Sequence, residues 1–269
     1  MSRFAELFET PCPIIGMLHA PPLPGSPGYQ GDVAAIRRHV LDDAQALVDG
    51  GVQGLMLENY GDVPFFPDRV PAVTVAMLTA LASEVRSQFP PVPLGINVLR
   101  NDGCAALAVA VATGAQFIRV NVLCGARLAD QGLLQGIAHQ LLRDRAQLSA
   151  EHVAILADVD VKHSAPLATR PLEEETRDLI HRGLADALIV SGQATGAAAD
   201  PQQLHAVQHA APGVPVLVGS GIDASNVARF AAAGGWIVGT AFKPPGRPQA
   251  AVNRHRVEQF CAAVQAALK

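Results

Sequence analysis

Hydrophobic residues along the chain alternate between short runs rich in β-branched residues and longer segments with the periodicity of amphipathic helices. Each of eight strand-like runs is followed by one helical segment. The predicted strands are 13–18, 54–59, 93–99, 117–123, 153–161, 187–192, 215–221 and 236–242. The predicted helices are 32–49, 70–88, 103–113, 133–149, 171–183, 201–210, 224–233 and 253–267.

This regular alternation predicts an α/β fold whose parallel strands close into a single (β/α)8 TIM barrel. An open, doubly wound sheet is the alternative. We expect one domain over residues 1–269, with a short helix in residues 1–12 that caps the bottom of the barrel. The loops that follow the first, second and fifth strands are long and rich in proline and glycine. Since these loops leave the carboxyl ends of strands, they mark the face on which barrels carry their sites.

The fifth predicted strand ends in charged residues within the run "VAILADVDVKHS" (153–164). Because side chains alternate along a strand, Asp158, Asp160 and Lys162 share one row, and the apolar residues of the other row face the helices. The same rule turns polar side chains inward at the ends of the first four strands, namely His19, Glu58, Asn97, Arg119 and Asn121. Buried charges are costly unless they are paired, so this convergence predicts a functional site in the mouth of the barrel.

Two kinds of chemistry fit this cluster. In the first, Lys162 acts as a general acid or as a Schiff-base amine, with Glu58 or Asp158 as the partner base and His19 beside them. In the second, Glu58, Asp158 and Asp160, with His19, hold a divalent cation, although the neighbouring cationic side chains argue against a metal. The side chains predicted to bind substrate are Asn97, Arg119, Asn121, Asp160 and Ser191.

Structural roles remain open for some of these residues. Arg119 could form an ion pair with Asp158 or Glu58 that serves only stability. A twist or bulge at the end of the strand could turn Asp160 away from the lumen.

The last three strands end in the glycine-rich runs "VSGQATG" (190–196), "VGSGIDASN" (218–226) and "VGTAFK" (238–243). Glycine lets backbone N–H groups approach a ligand closely, and a helix N-terminus attracts an anion. In barrels the loops after strands seven and eight commonly bind phosphate; tight turns without a ligand are the alternative. The predicted phosphate site comprises Gly192, Gly219, Ser220, Gly221, Gly239 and Thr240, to which Lys243 could add charge.

Composition narrows the classes of function. The net charge of −4 and the absence of any Lys/Arg run argue against nucleic-acid binding. The four cysteines form no C-x-x-C pair and no apolar stretch is long enough to span a membrane, so a cytoplasmic protein with reduced thiols is expected. No phosphate-loop, Rossmann or nucleophile-elbow motif is present, which predicts no nucleotide cofactor. The partners expected are a phosphorylated small molecule and further copies of the same chain.

Eight sequence blocks in order resemble the BtpA/SgcQ family over about Ile14 to Val257. They are "GMLHAPPLPGSP", "ENYGDVPF", "GINVLRND", "FIRVNVLCGA", "LADVDVKHSAPL", "ALIVSGQATG", "VLVGSGI" and "IVGTAFK". The resemblance implies a TIM-barrel-like fold. The residues favour an enzyme that acts on a sugar or nucleoside phosphate by acid–base or lyase chemistry. The family name comes from a peripheral thylakoid protein, so the resemblance implies as the alternative a biogenesis factor for a photosystem I-type membrane complex.

Overall fold

The computed structural model describes residues 3–192 and 199–269. Its strands in chain order are β1 (Ile14–His19), β2 (Gly54–Glu58), β3 (Leu94–Asn97), β4 (Phe117–Val120), β5 (Ala126–Ala129), β6 (Gly132–Gln135), β7 (Ala154–Asp158), β8 (Ser164–Pro166), β9 (Ala187–Val190), β10 (Val216–Val218) and β11 (Trp236–Val238). Eight of them close into a parallel barrel in the order β1-β11-β10-β9-β7-β4-β3-β2, which confirms the predicted fold class. The other three form a small antiparallel sheet in the order β6-β5-β8.

Helices cover the outside of the barrel and one short helix lies at its amino end. They are α1 (Arg3–Glu6), α2 (Val33–Asp49), α3 (Ala72–Gln88), α4 (Gly103–Thr113), α5 (Ala138–Gln147), α6 (Leu172–His181), α7 (Pro201–Ala210) and α8 (Arg254–Ala267), with short 3₁₀ helices at Val227–Phe230 and Thr240–Phe242. Side-chain caps begin several of them: the Asp32 and Asp102 carboxylates accept the N–H groups of Ala35 and Ala105. Within the described ranges, no helix has both the length and the apolar composition needed to cross a bilayer.

Two apolar layers hold the barrel together. The outer layer fills the space between the strands and the helices. The inner layer fills the lumen with side chains from several barrel strands and from α1, among them Phe4, Ile15, Met17, Met56, Phe117, Leu156, Ile189, Leu217 and Ile237. Phe4 enters from the amino ends of the strands, where Arg3 also bonds Asp186 at 2.9 Å. The lower lumen is therefore a packed core, which leaves the carboxyl ends of the strands as the place for polar chemistry.

Two predicted helices were wrong in extent. The segment predicted as a helix over 133–149 begins its helix only at Ala138, because residues 132–135 pair with β5 in a hairpin that sets Leu128 opposite Leu133. Gly132 makes the turn possible with a left-handed φ of 97°. The segment predicted as a helix over 224–233 contains only the 3₁₀ helix Val227–Phe230.

Several predicted strands ran past the point where the barrel ladder stops. The fifth predicted strand extended to residue 161, but the last pair of β7 joins Asp158 to Ile189. Val159 and Val161 are buried beyond that pair, so the apolar pattern continues into a loop. Alternation of side chains holds only inside the ladder, and this limits which polar residues reach the lumen.

Candidate functional site

A layer of polar side chains crosses four adjacent strands at the top of the lumen. The barrel register sets His19 beside Glu58, Glu58 beside Asn97, and Asn97 beside Arg119. Because neighbours in register point to the same face, these four side chains meet above the apolar core. All four are at least nine-tenths buried. The inner rows of β1 to β4 thus bring together residues that lie a hundred positions apart in the sequence.

Asp158, at the end of β7, is held by a network of hydrogen bonds. Arg119 donates two parallel bonds to its carboxylate, from Nε at 3.0 Å and from Nη2 at 2.7 Å. Asn121 Nδ2 donates a third at 2.6 Å, and the Ser191 hydroxyl a fourth at 3.4 Å. These four donors occupy both oxygens of the Asp158 carboxylate. Asp158 therefore fixes the positions of Arg119 and Asn121, which leaves Glu58 as the better candidate base.

Glu58 is bonded on one oxygen and available on the other. Its Oε2 accepts a hydrogen bond from Asn97 Nδ2 at 2.5 Å, and its Oε1 lies 3.8 Å from His19 Nε2. The His19 ring stacks on Tyr60, with ring centroids 4.2 Å apart. Burial, together with the positive charges of Lys243 and Lys162, lowers the pKa of His19 well below its usual range. A neutral His19 leaves the charge of Glu58 uncompensated on that side.

The lowered pKa of His19 makes stability depend on pH. Unfolded histidine takes up a proton near pH 6.5, about its ordinary pKa, whereas the folded protein resists doing so. The unfolded state then binds more protons below about pH 6.5, so the free energy of unfolding is expected to fall as the pH drops. Urea denaturation between about pH 7.5 and about pH 5.5 measures this slope.

His19→Gln should flatten the pH dependence, because it removes the buried titrating group. His205→Gln removes an exposed histidine from α7 and should keep the wild-type slope. A slope that is the same in all three proteins would contradict the assignment to His19.

Lys162 lies in the loop after β7 and reaches the mouth from above the ladder. Burial lowers the pKa of its amine, and the nearby Arg119 adds to this effect, although the negative charges of Glu58 and Asp158 oppose it. In the part of the chain that the structure describes, the Lys162 amine has no hydrogen bond and no ion pair. An amine that is half-buried, without a hydrogen-bond partner among the described residues and easier to deprotonate is suited to proton transfer or nucleophilic attack.

Two adjoining cavities open at this mouth. The narrow one, of about 40 Å³, lies against the strand tips Gly219–Ile222 and Val238–Ala241. The larger one, of about 420 Å³, combines polar side chains with apolar walls and includes Asn97, Leu99, Arg100, Asn121, Val63 and Phe65. Both cavities are lined by Glu58, Tyr60, Arg119 and Lys162. A single ligand could therefore extend through both cavities. It would contact Lys162 where the two cavities meet.

Ser220, Gly221 and Ile222 line the narrow cavity, and their backbone N–H groups donate to no acceptor among the described residues. Gly221 adopts a left-handed φ of 66°, and a Cβ on Gly239 would lie 2.8 Å from His19 Cε1. Glycine is therefore needed at both tips. Backbone N–H groups that have no acceptor among the described residues are the kind of donor that binds an anion. The sequence analysis predicted a helix over 224–233, whose N-terminus would assist anion binding. The structure has only the short 3₁₀ helix Val227–Phe230 there.

Several predicted site residues lie elsewhere. The prediction that Asp160 points into the lumen is wrong: beyond the end of β7 its carboxylate bonds Arg127 at 2.7 Å and is 42% exposed. Lys243 is buried with its Nζ 3.8 Å from Asp43 Oδ2 and does not line the narrow cavity. Ser191 and Gly192 are buried but line neither cavity. The rest of the predicted strand-six tip, residues 193–196, lies outside the described residues.

The geometry does not support the alternative of a divalent cation. Asp158 is occupied by Arg119 and Asn121, and Asp160 by Arg127. Across residues 3–192 and 199–269, no group of three or more histidine, cysteine, aspartate or glutamate side chains is placed to hold a metal ion.

The sequence analysis missed several residues of the mouth, among them Tyr60, Arg100 and Asp130. Tyr60 follows β2 by two residues and stacks on His19, and Arg100 follows β3 by three and lines the larger cavity. Both lie in loops at the carboxyl ends of strands, where an aromatic or cationic residue is a recognisable signal. Their side-chain directions could not be read from strand alternation.

Comparisons with known proteins give a family and a fold. The profile of the BtpA family matches residues 10–266. The chain is 44% identical to the photosystem I biogenesis protein BtpA of Synechocystis sp. over 98% of this chain and 92% of that protein. Among solved structures, KGPDC from Streptococcus mutans has a TM-score of 0.59 at 12% identity, over 97% of this chain and 100% of that one. N-(5'-phosphoribosyl)anthranilate isomerase from Pyrococcus furiosus has a TM-score of 0.56 at 13% identity, over 95% and 99%.

Proposed function

The chain belongs to the BtpA family, and we propose that it is an enzyme acting on a phosphorylated small molecule, such as a sugar or nucleoside phosphate, by acid–base chemistry. One observation carries the proposal: a narrow cavity lined by the glycine-rich strand tips and a larger polar cavity share Lys162 and Glu58. A ligand that bridges the two cavities would present its reacting atoms to a candidate acid and a candidate base.

The roles follow from the geometry. The N–H groups at residues 220–222 bind the phosphate, and the organic part of the substrate enters the larger cavity. Glu58, whose Oε1 accepts no hydrogen bond from the described residues and lies 3.8 Å from His19 Nε2, takes a proton from the substrate. Lys162 donates a proton to an oxygen that gains negative charge, or attacks a carbonyl as the free amine. Arg119 and Asn121, fixed by Asp158, orient the substrate beside them.

The fold is compatible with such chemistry. Structural neighbours at 12% and 13% identity share the barrel, and the name of one of them contains a phosphoribosyl substrate. At this identity they support the architecture only. The assignment of phosphate to strands β10 and β11 rests on the free N–H groups of this chain.

Phosphate binding is expected to depend on the conformation at Gly221. Inorganic phosphate and small phosphate esters should raise the melting temperature of the wild-type protein, because a ligand that binds only the folded state stabilises it. Gly221→Val forces a β-branched residue into a left-handed conformation and should displace the N–H donors. Thermal denaturation across a phosphate titration should then show about a tenfold or greater loss of affinity, the scale of one charge-assisted hydrogen bond or more.

Gly213→Val is the matched control. Gly213 also has a left-handed φ, 81°, but it lies in the loop between α7 and β10, on the opposite face of the barrel. The Gly213→Val variant should lose about as much stability as Gly221→Val. Its melting temperature should still rise with phosphate as in the wild type. Equal phosphate responses in wild type and Gly221→Val would refute phosphate binding by these N–H groups.

A second candidate function is suggested by the 44% identical relative, which is named for photosystem I biogenesis. In that role the protein would assist a membrane complex without turning over a substrate. Flotation with anionic vesicles separates the two candidates: retention on vesicles, together with no ligand among phosphorylated compounds, would favour the assembly role.

A further inference from the structure

We propose that the substrate carries a carboxylate in addition to its phosphate, and that Arg100 binds this carboxylate in the larger cavity. The proposal rests on the function proposed above and narrows the substrate class to phosphorylated carboxylic acids, such as the phosphates of sugar acids. The position, burial and hydrogen bonding of Arg100 support this proposal.

Arg100 is a buried cation with donors to spare. Its side chain lines the larger cavity, and the residue is 4% exposed. Nη2 donates to the Lys162 carbonyl at 2.6 Å and Nη1 to Asn121 Oδ1 at 3.4 Å, whereas Nε has no partner among the described residues. A guanidinium has five N–H donors, and a buried donor without an acceptor is destabilising. Nε itself is closed to solvent, so the second N–H on each of Nη1 and Nη2 remains for a planar, bidentate acceptor such as a carboxylate.

The charges around the cavity leave Arg100 without a close partner. The charge of Arg119 is matched by Asp158 at 2.7 Å. Arg100 forms no ion pair within 4 Å in the described ranges, and neither does Lys162. Glu58 is the remaining buried carboxylate of the shared wall. The exposed Asp130 also lines this cavity, so its cations and carboxylates are balanced overall. A ligand carboxylate would instead supply the close ion-pair partner that the buried Arg100 lacks among the described residues.

The walls of the cavity strengthen this preference. Val63, Phe65 and Leu99 are apolar and lie on the same cavity as Arg100. Attraction between opposite charges is stronger where water is displaced by apolar groups. A neutral hydroxyl group in the same place would gain far less from the guanidinium.

Matched pairs of probes test the proposal. Calorimetric titrations compare 3-phosphoglycerate with glycerol 3-phosphate, and 6-phosphogluconate with glucose 6-phosphate, with inorganic phosphate as the reference. In at least one pair the wild-type protein should bind the acid about tenfold or more tightly, as expected for a charge-assisted bidentate contact. Arg100→Gln should reduce the preference to about twofold or less while the affinity for inorganic phosphate stays the same.

Two further variants keep the outcome interpretable. Arg100→Lys retains the charge without the planar fork, so it should keep a reduced preference for the acid even if Arg100→Gln folds poorly. Arg247→Gln removes an exposed arginine that lines neither of the two cavities and should keep the full preference. Equal wild-type affinities within both pairs, or a preference that survives Arg100→Gln, would overturn the role of Arg100. Failure of inorganic phosphate to bind would instead overturn the proposed function.

Discussion

Replacing Lys162 by methionine is expected to lower kcat by about 10²–10⁴-fold, the usual contribution of a positioned acid or base. Methionine keeps much of the side-chain volume and removes the amine that lines both cavities. Steady-state kinetics measure the loss on a substrate drawn from the phosphorylated compounds that raise the melting temperature. Stability should change little, because this amine forms no ion pair or hydrogen bond within the described residues.

Lys243→Met is the matched control for this experiment. Lys243 is buried, its Nζ lies 3.8 Å from Asp43 and it lines neither cavity. The variant should lose stability, because Asp43 keeps only His39 at 3.4 Å and the Val252 N–H as partners, and should retain kcat per folded molecule. The opposite pattern, in which Lys243→Met loses turnover and Lys162→Met does not, would exclude Lys162 from the chemistry.

The amine of Lys162 can also be followed without knowledge of the reaction. The chain has three lysines, so acetylation at each can be resolved by peptide mass spectrometry. A lowered pKa leaves a larger share of Lys162 unprotonated at neutral pH than is usual for lysine. A ligand that fills the two cavities should protect Lys162 and leave Lys269 reactive.

The inner layer of the site could be predicted because strand alternation is reliable inside a paired ladder. His19, Glu58, Asn97 and Arg119 all lie in residues that pair with a neighbouring barrel strand. Asp160 lies two residues beyond the end of β7, where the chain bends toward Arg127, so the same rule failed there. The sequence pattern gave no sign that β7 ends at Asp158, because Val159 and Val161 continue the alternation of apolar residues.

The loops could not be predicted because distant contacts determine their paths. The backbone N–H of Arg100 bonds the Phe66 carbonyl at 3.0 Å, so its place depends on the loop after β2. The hairpin of β5 and β6 replaces the start of a predicted helix because β8, some thirty residues further on, pairs with β5. Leucines at residues 133 and 134 suit either structure, and the choice lies in this tertiary pairing.

The Arg119–Asp158 pair gives the largest expected effect on stability. Asp158→Leu alone leaves a buried guanidinium without its carboxylate, and Arg119→Met alone leaves a buried carboxylate without its guanidinium. Each should lower the free energy of unfolding by about 3–5 kcal/mol, measured by urea denaturation. The double variant should lose much less than the sum of the two, because apolar side chains of similar size can replace a buried pair at little cost.

An exposed pair provides the scale for this double-mutant cycle. Arg254 and Glu258 lie one turn apart on α8 and are 57% and 43% exposed, so Arg254→Gln should change stability far less than either single variant of the buried pair. If the double variant of the buried pair is as unstable as the two single losses added together, the charges are not coupled as described.

The same double variant decides whether the buried pair exists for stability or for the site. Asp158 receives donors from Arg119 and Asn121, and both of these line the larger cavity. An apolar pair would fill the space but release Asn121 and remove the guanidinium from the cavity wall. We therefore expect a folded protein that still binds inorganic phosphate and has lost affinity for the organic part of the substrate. Full retention of that affinity would assign the pair to stability alone, since a residue that orients substrate cannot be replaced by methionine without loss.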